Sequence, residues 1–142
     1  KASRAVRITP SSSLTTSTQT WQRQWHWGTS AYSSSFNATG SFEGVAITAS
    51  STSKMGAVIS YQNNAGTNAL NSDIVLKLSA DNGSNYTTAT LVDNGNLDST
   101  TKVASVSDVS VTSGTQLKYK IEFANQATGS KEARITGVAL QF

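Results

Sequence analysis

The chain has 142 residues, of which 13% are charged and 37% hydrophobic, with a formal net charge of +3 and no cysteine. That length builds one domain with a real core, and the missing cysteines exclude disulfide staples, thiolate zinc sites and cysteine nucleophiles. About three residues in ten are Ser or Thr, a balance that suits β structure with hydroxyl-bearing loops and not a helical protein.

The charge is unevenly placed. Lys1, Arg4, Arg7 and Arg23 precede the first acid, Glu43, so the first 42 residues carry +4 and the remaining 100 carry −1. Cations spread so thinly form a solvated tail and not the basic cluster that nucleic acid requires, so no nucleic-acid partner is expected. No apolar run is long enough for a membrane span, and no signal-peptide pattern is present. A start at Lys1 instead of Met points to a piece processed or excised from something longer.

Residues 11–20, SSSLTTSTQT, have no pattern that would bury a face. Residues 1–20 are therefore read as an extended polar, basic N-terminal arm, and 21–142 as a single domain. The stretch TWQRQWHWG follows, holding the chain's three tryptophans. In a strand Trp21, Arg23, Trp25 and Trp27 share one face, with Gln22, Gln24 and His26 on the other. An unpaired guanidinium in a core costs several kcal/mol, whereas one stacked between Trp21 and Trp25 gains about 0.5–2 kcal/mol. The row is expected at an edge, serving as the rim of the core, a subunit contact or a sugar platform.

From residue 42 the apolar residues alternate with period two, which predicts strands with one buried face. Short strands are predicted at Val45–Ala49, Val58–Tyr61 and Val109–Val111, with a longer one at Ile74, Leu76, Leu78 and Ala80. The clearest alternates Leu117, Tyr119, Ile121 and Phe123 against Lys118, Lys120 and Glu122. In KEARITGVALQF the pattern changes phase, from Ala133 and Ile135 to Val138, Leu140 and Phe142, which predicts a β-bulge hinged at Gly137. Turn-rich stretches (SSTSK, NNAGTNALNS, DNGSN, DNGNLDSTT and NQATGS) separate these segments. The expected fold is all-β, a two-sheet antiparallel β-sandwich of jelly-roll type with about eight strands.

Little in the chain promises catalysis. His26 is the one histidine, and its place among tryptophans marks an ordinary imidazole and not a triad base. Asp93 and Asp98 are close enough in sequence to suggest a glycosidase pair, but turn acids bond their own backbone. DNGNLD offers Asp93, Asn94, Asn96 and Asp98 as oxygen ligands for calcium, yet Asp98 and Ala104 stand where the EF-hand loop needs its glycine and its bidentate Glu. No catalytic residue, metal or cofactor is expected. The stretch SADNGSNY fits Ser-x-Asp-x-Gly-x-x-aromatic and resembles the Asp-box hairpin, with Ser79, Asp81, Gly83 and Tyr86 in its defining places. Its sense is local: Asp81 accepts from turn amides, Gly83 supplies positive φ, and Tyr86 packs back on the sheet.

The order DIVLKLSADNGSNYTTATLVDNG, VSDVS, SGTQLKYKIEFAN and KEARITGVALQF resembles the C-terminal β-sandwich of tailed-bacteriophage tail-fibre and other virion surface proteins. There a strand runs into an Asp-box hairpin, a Ser-Gly-Thr turn precedes a Lys-Tyr-Lys strand, and a Lys-Glu-Ala-Arg-Ile strand closes on a terminal aromatic residue. The resemblance covers about half the chain and implies a non-enzymatic structural domain on a virion surface. It further implies a homotrimer that contacts other virion proteins or a host surface glycan, but no fixed set of binding residues. Two alternatives remain: a capsid decoration protein anchored by its basic arm, and a carbohydrate-binding module of a secreted bacterial protein.

Overall fold

A computed structural model describes residues 37–142. The predicted arm 1–20 and the row Trp21, Arg23, Trp25 and Trp27 lie outside the described residues. Seven strands follow in chain order: β1 (Ala38–Glu43), β2 (Ile47–Ala65), β3 (Ile74–Ser79), β4 (Thr87–Ala89), β5 (Val92–Asn96), β6 (Thr101–Gln126) and β7 (Glu132–Gln141). The described residues are thus all-β, and every strand pairing is antiparallel. No helix among them is long and apolar enough to cross a membrane.

Strand β6, 26 residues long, organises the sheet. Its C-terminal half pairs with β3 on one side and β1 on the other, Leu76 and Phe42 both opposing Ile121. Its N-terminal half pairs with β2 and β5, Val58 and Val92 both opposing Ser105. The hydrogen-bonded path runs β4-β3-β6-β2-β7, with β1 and β5 also joined to β6.

About eight strands were expected and seven are present among the described residues, because predicted neighbours merge. SSTSK reads as a turn but lies inside β2, and the Ser113-Gly114-Thr115 turn is a stretch of β6. The Val45–Ala49 strand starts only at Ile47, as the 19-residue β2. A strand this long must bend, and β-bulges let it. Asp108, with φ 57°, lies where β6 takes one more residue than β2 between Met55↔Val109 and Ala57↔Val106. Gly114 lies where β6 crosses the chain after β3, so close that a Cβ there would stand 2.1 Å from the Ala80 carbonyl oxygen.

The predicted alternation sets the core. Ile74, Leu76, Leu78, Ala80, Leu117 and Ile121 are fully buried, as are Ala57, Ile59 and Ala104 on the other half of β6 and its partner, and all belong to one contiguous cluster. Burying each large aliphatic side chain contributes about 1.5–3 kcal/mol. The phase change in β7 is a bulge: Ser60 opposes Gly137 and Tyr61 opposes Ile135, leaving Thr136 unpaired in the ladder, where its hydroxyl donates to Ser60 Oγ at 2.8 Å. Ile135, Val138 and Leu140 all pack against the core as a result.

Candidate functional site

The first polar cluster is the hairpin between β3 and β4. The buried Ser79 hydroxyl donates to Asp81 Oδ1 at 2.6 Å and accepts from the Gly83 amide at 2.9 Å. Asp81 also accepts from the Asn85 amide (2.9 Å) and side chain (2.7 Å). These bonds, Ser79's first, hold the Asp81 carboxyl at about 2 against an ordinary 3.8. Asn82 and Gly83 take positive φ, 61° and 81°. Such a turn is a self-contained folding device, since the side chains satisfy the backbone donors that no strand partner reaches.

Tyr86 completes the hairpin without joining the apolar core. Its ring lies under Lys120, with Nζ 5.7 Å from the ring centre. Burial first, then the negative charge of Glu43 and the approach of its carboxylate, pushes its hydroxyl up to about 12, while no partner among the described residues meets that buried hydroxyl in hydrogen-bond geometry. The surrounding face is an alternating charge ladder. Glu122 lies 3.0 Å from Lys77 and 3.6 Å from Lys120, and Glu43 pairs with Lys118 at 3.2 Å. Lys77 and Lys120 oppose each other across β3 and β6, so Glu122 relieves a like-charge contact.

The carboxylates as a group decide what chemistry is open. Asp93 Oδ1 accepts from the Gly95 amide at 2.7 Å, while Lys102 stands 3.7 Å from its Oδ2 and donates to Asn96 at 3.1 Å. The ammonium thus occupies the space between two of the oxygens proposed for calcium. Asp98 turns to its own backbone, accepting from the Thr100 and Thr101 amides at 2.8 Å each, and its carboxyl is held low by them. No group of three or more His, Cys, Asp or Glu side chains converges among the described residues. Every shifted carboxyl (Asp73, Asp81, Asp98, Glu122 and Glu132) moves down.

A second polar cluster escapes the sequence reading. The turn-rich stretches NNAGTNALNS and NQATGS meet, although 58 residues separate Gln126 from Asn68, whose Oδ1 accepts from Gln126 Nε2 at 2.9 Å. Asn63 Oδ1 accepts from the Asn68 amide (3.0 Å) and side chain (2.9 Å), and Asn64 donates to Glu132 at 2.7 Å. Asp73, 2% exposed, accepts from Ala69 (2.8 Å) and Asn125 (2.8 Å) and pairs with Lys131 (2.7 Å). Asn71 binds both backbone groups of Leu91, at 2.8 and 2.9 Å, as a strand neighbour would. The crowding of Asn, Gln and Asp into these two loops is the one signal that could have announced the network.

Beside this network the surface opens into two adjoining hollows that share Asn63 and Lys102. One, of about 470 Å³, is walled by Gln62, Asn64, Asn96 and Ser99. The other, of about 580 Å³, has Tyr61, Leu70 and Leu91 in its lining with Asn68 and Asp93. Ser79, Asp81, Gly83 and Tyr86 form one unit elsewhere, while Trp21, Arg23, Trp25, Trp27 and His26 lie outside the described residues. Comparison of the chain with protein-family models, with curated proteins and with solved structures yields no match.

Proposed function

We propose that this chain is a non-enzymatic virion structural protein, a surface or tail-fibre domain that attaches to a host surface or makes contacts within the particle. The order of sequence devices from residue 73 onward suggests the class. What supports the non-enzymatic half is how the carboxylates are occupied: Asp81 by Ser79 and Asn85, Asp98 by the Thr100 and Thr101 amides, and Asp73 by Ala69, Asn125 and Lys131, each tying down its own turn or loop. In this reading the two halves of β6 carry two facing layers, a β-sandwich of jelly-roll type. One core cluster drawing on both sets of strands supports it. Three copies assemble, so that shallow contacts gain strength through multivalency.

Mass spectrometry of purified virus particles made by the genome that encodes the chain tests this. Its peptides are expected in the particles, and sedimentation of the isolated protein is expected to give three times the 14.9 kDa chain mass. Peptides confined to the unassembled fraction would contradict the reading.

A further inference from the structure

The hollow between the end of β2 and the β5–β6 connection has a donor and acceptor pattern that points to a ligand. Among the described residues each of its amides has one arm bonded inside the protein and no hydrogen-bond partner on the other. Gln62 spends its NH2 on Thr101 Oγ1 (3.1 Å), and Asn64 spends its own on Glu132 (2.7 Å), which leaves two amide oxygens. Asn63 spends its oxygen on Asn68 (2.9 Å), and Asn96 spends its oxygen on Lys102 (3.1 Å), which leaves two NH2 groups. One bond to the protein already orients each of the four side chains, so less conformational freedom is lost when the unbonded arms are engaged.

From this geometry we infer that the cleft is a binding site for a neutral oligosaccharide. A hydroxyl both donates and accepts, so a polyol suits a lining that holds two unbonded acceptors and two unbonded donors, which neither an anion nor an apolar group can match. The one cation, Lys102, is countered by Asp93 at 3.7 Å, so the cleft offers no net charge to a phosphate or carboxylate. That pair suits neighbouring hydroxyls: the carboxylate accepts from one and the ammonium donates to the next. Leu70, half-buried in the lining of the adjoining hollow, offers apolar surface to the C–H face of a sugar ring. A size of about 470 Å³ is within the ordinary range for small-ligand sites. The biological use of the site rests on the attachment reading, whereas its chemistry does not.

The test is a two-dimensional NMR titration of the 15N-labelled full chain with malto-, cello-, chito- and galacto-oligosaccharides, beside inorganic phosphate and a sulfated oligosaccharide, each at about 10 mM, where millimolar sites saturate. At least one neutral sugar is expected to shift the side-chain NH2 signals of Gln62, Asn63, Asn64 and Asn96. Asn64→Ala/Asn96→Ala should weaken that binding at least about tenfold. Ser99→Trp fills the cleft without removing any of these hydrogen bonds and should abolish it, with the other backbone signals unmoved. No shift at these amides with any neutral sugar, shifts with phosphate or the sulfated sugar alone, or binding unchanged in Ser99→Trp would overturn the inference. Co-sedimentation with bacterial cells separates the two claims. Cells bound equally by the parent and Ser99→Trp end the cleft's part in attachment and keep attachment itself, whereas amide shifts without cell binding keep the cleft and end attachment.

Discussion

Asp73 and Lys131 meet at 2.7 Å, and the pair fastens the loop before β3 to the loop before β7. The two ends are unlike, since the Asp73 side chain is 3% exposed and the Lys131 side chain 33%. Asp73→Ala strands the Ala69 amide and the Asn125 side chain as well as the lysine, and should cost about 3 kcal/mol. Lys131→Ala leaves the carboxylate two donors and should cost about 1 kcal/mol. Urea denaturation of the two variants measures the difference; equal losses would contradict the asymmetry.

Acid should unfold the domain through the same residue. Burial alone would raise Asp73, but the Lys131, Ala69 and Asn125 hydrogen bonds outweigh it and bring the carboxyl from the ordinary 3.8 to about 2. Asp81, in the β3–β4 hairpin, likewise falls to about 2. A depressed carboxyl stabilises the fold above its unfolded value, and that contribution disappears as pH falls through the folded one. Melting temperature is therefore expected to fall between about pH 4 and pH 2, and the fall should be smaller in Asp73→Ala. An identical acid profile in parent and variant would contradict this.

Tyr86 offers a gain. Its buried hydroxyl has no partner in hydrogen-bond geometry among the described residues, Glu43 approaching without completing a bond, and the desolvation of that group is a cost that phenylalanine avoids. Tyr86→Phe should keep the ring under Lys120 and stabilise the domain by about 1 kcal/mol, read as a raised urea midpoint. A loss of similar size would show that the hydroxyl is engaged.

Two glycines separate crowding from freedom. A Cβ at Gly114 would lie 2.1 Å from the Ala80 carbonyl oxygen, whereas one at Gly40 meets nothing within 4 Å. Gly114→Ala should cost about 3 kcal/mol or more, and Gly40→Ala no more than about 0.5 kcal/mol. Matching stabilities would mean that β6 does not cross the chain so closely after Ala80.

Side-chain alternation carries far along this chain, and its limits are physical. Leu117, Tyr119, Ile121 and Phe123 were legible because one face of β6 is apolar and the other holds Lys118, Lys120 and Glu122. The β7 bulge was legible because its phase change brings Val138 and Leu140 back to the core. What alternation could not give is strand length. Ser107-Asp108 and Ser113-Gly114-Thr115 have turn composition, yet they bend one strand instead of ending it, because β2 pairs with β6 on both sides of each. Nor could it find the Asn68–Gln126 network, since amides paired across distant loops leave no periodic trace. The Ser79–Asp81 hairpin was the reverse case, a site whose bonds are all local and therefore written in consecutive residues.

The most direct measurement is immunogold electron microscopy of intact particles, using an antibody raised against residues 37–142. Gold on the outer surface of undisrupted virions, lost when the antibody is first absorbed with the isolated protein, is the predicted result. Labelling that appears only after the particles are broken open, or not at all, would contradict a role at the virion surface.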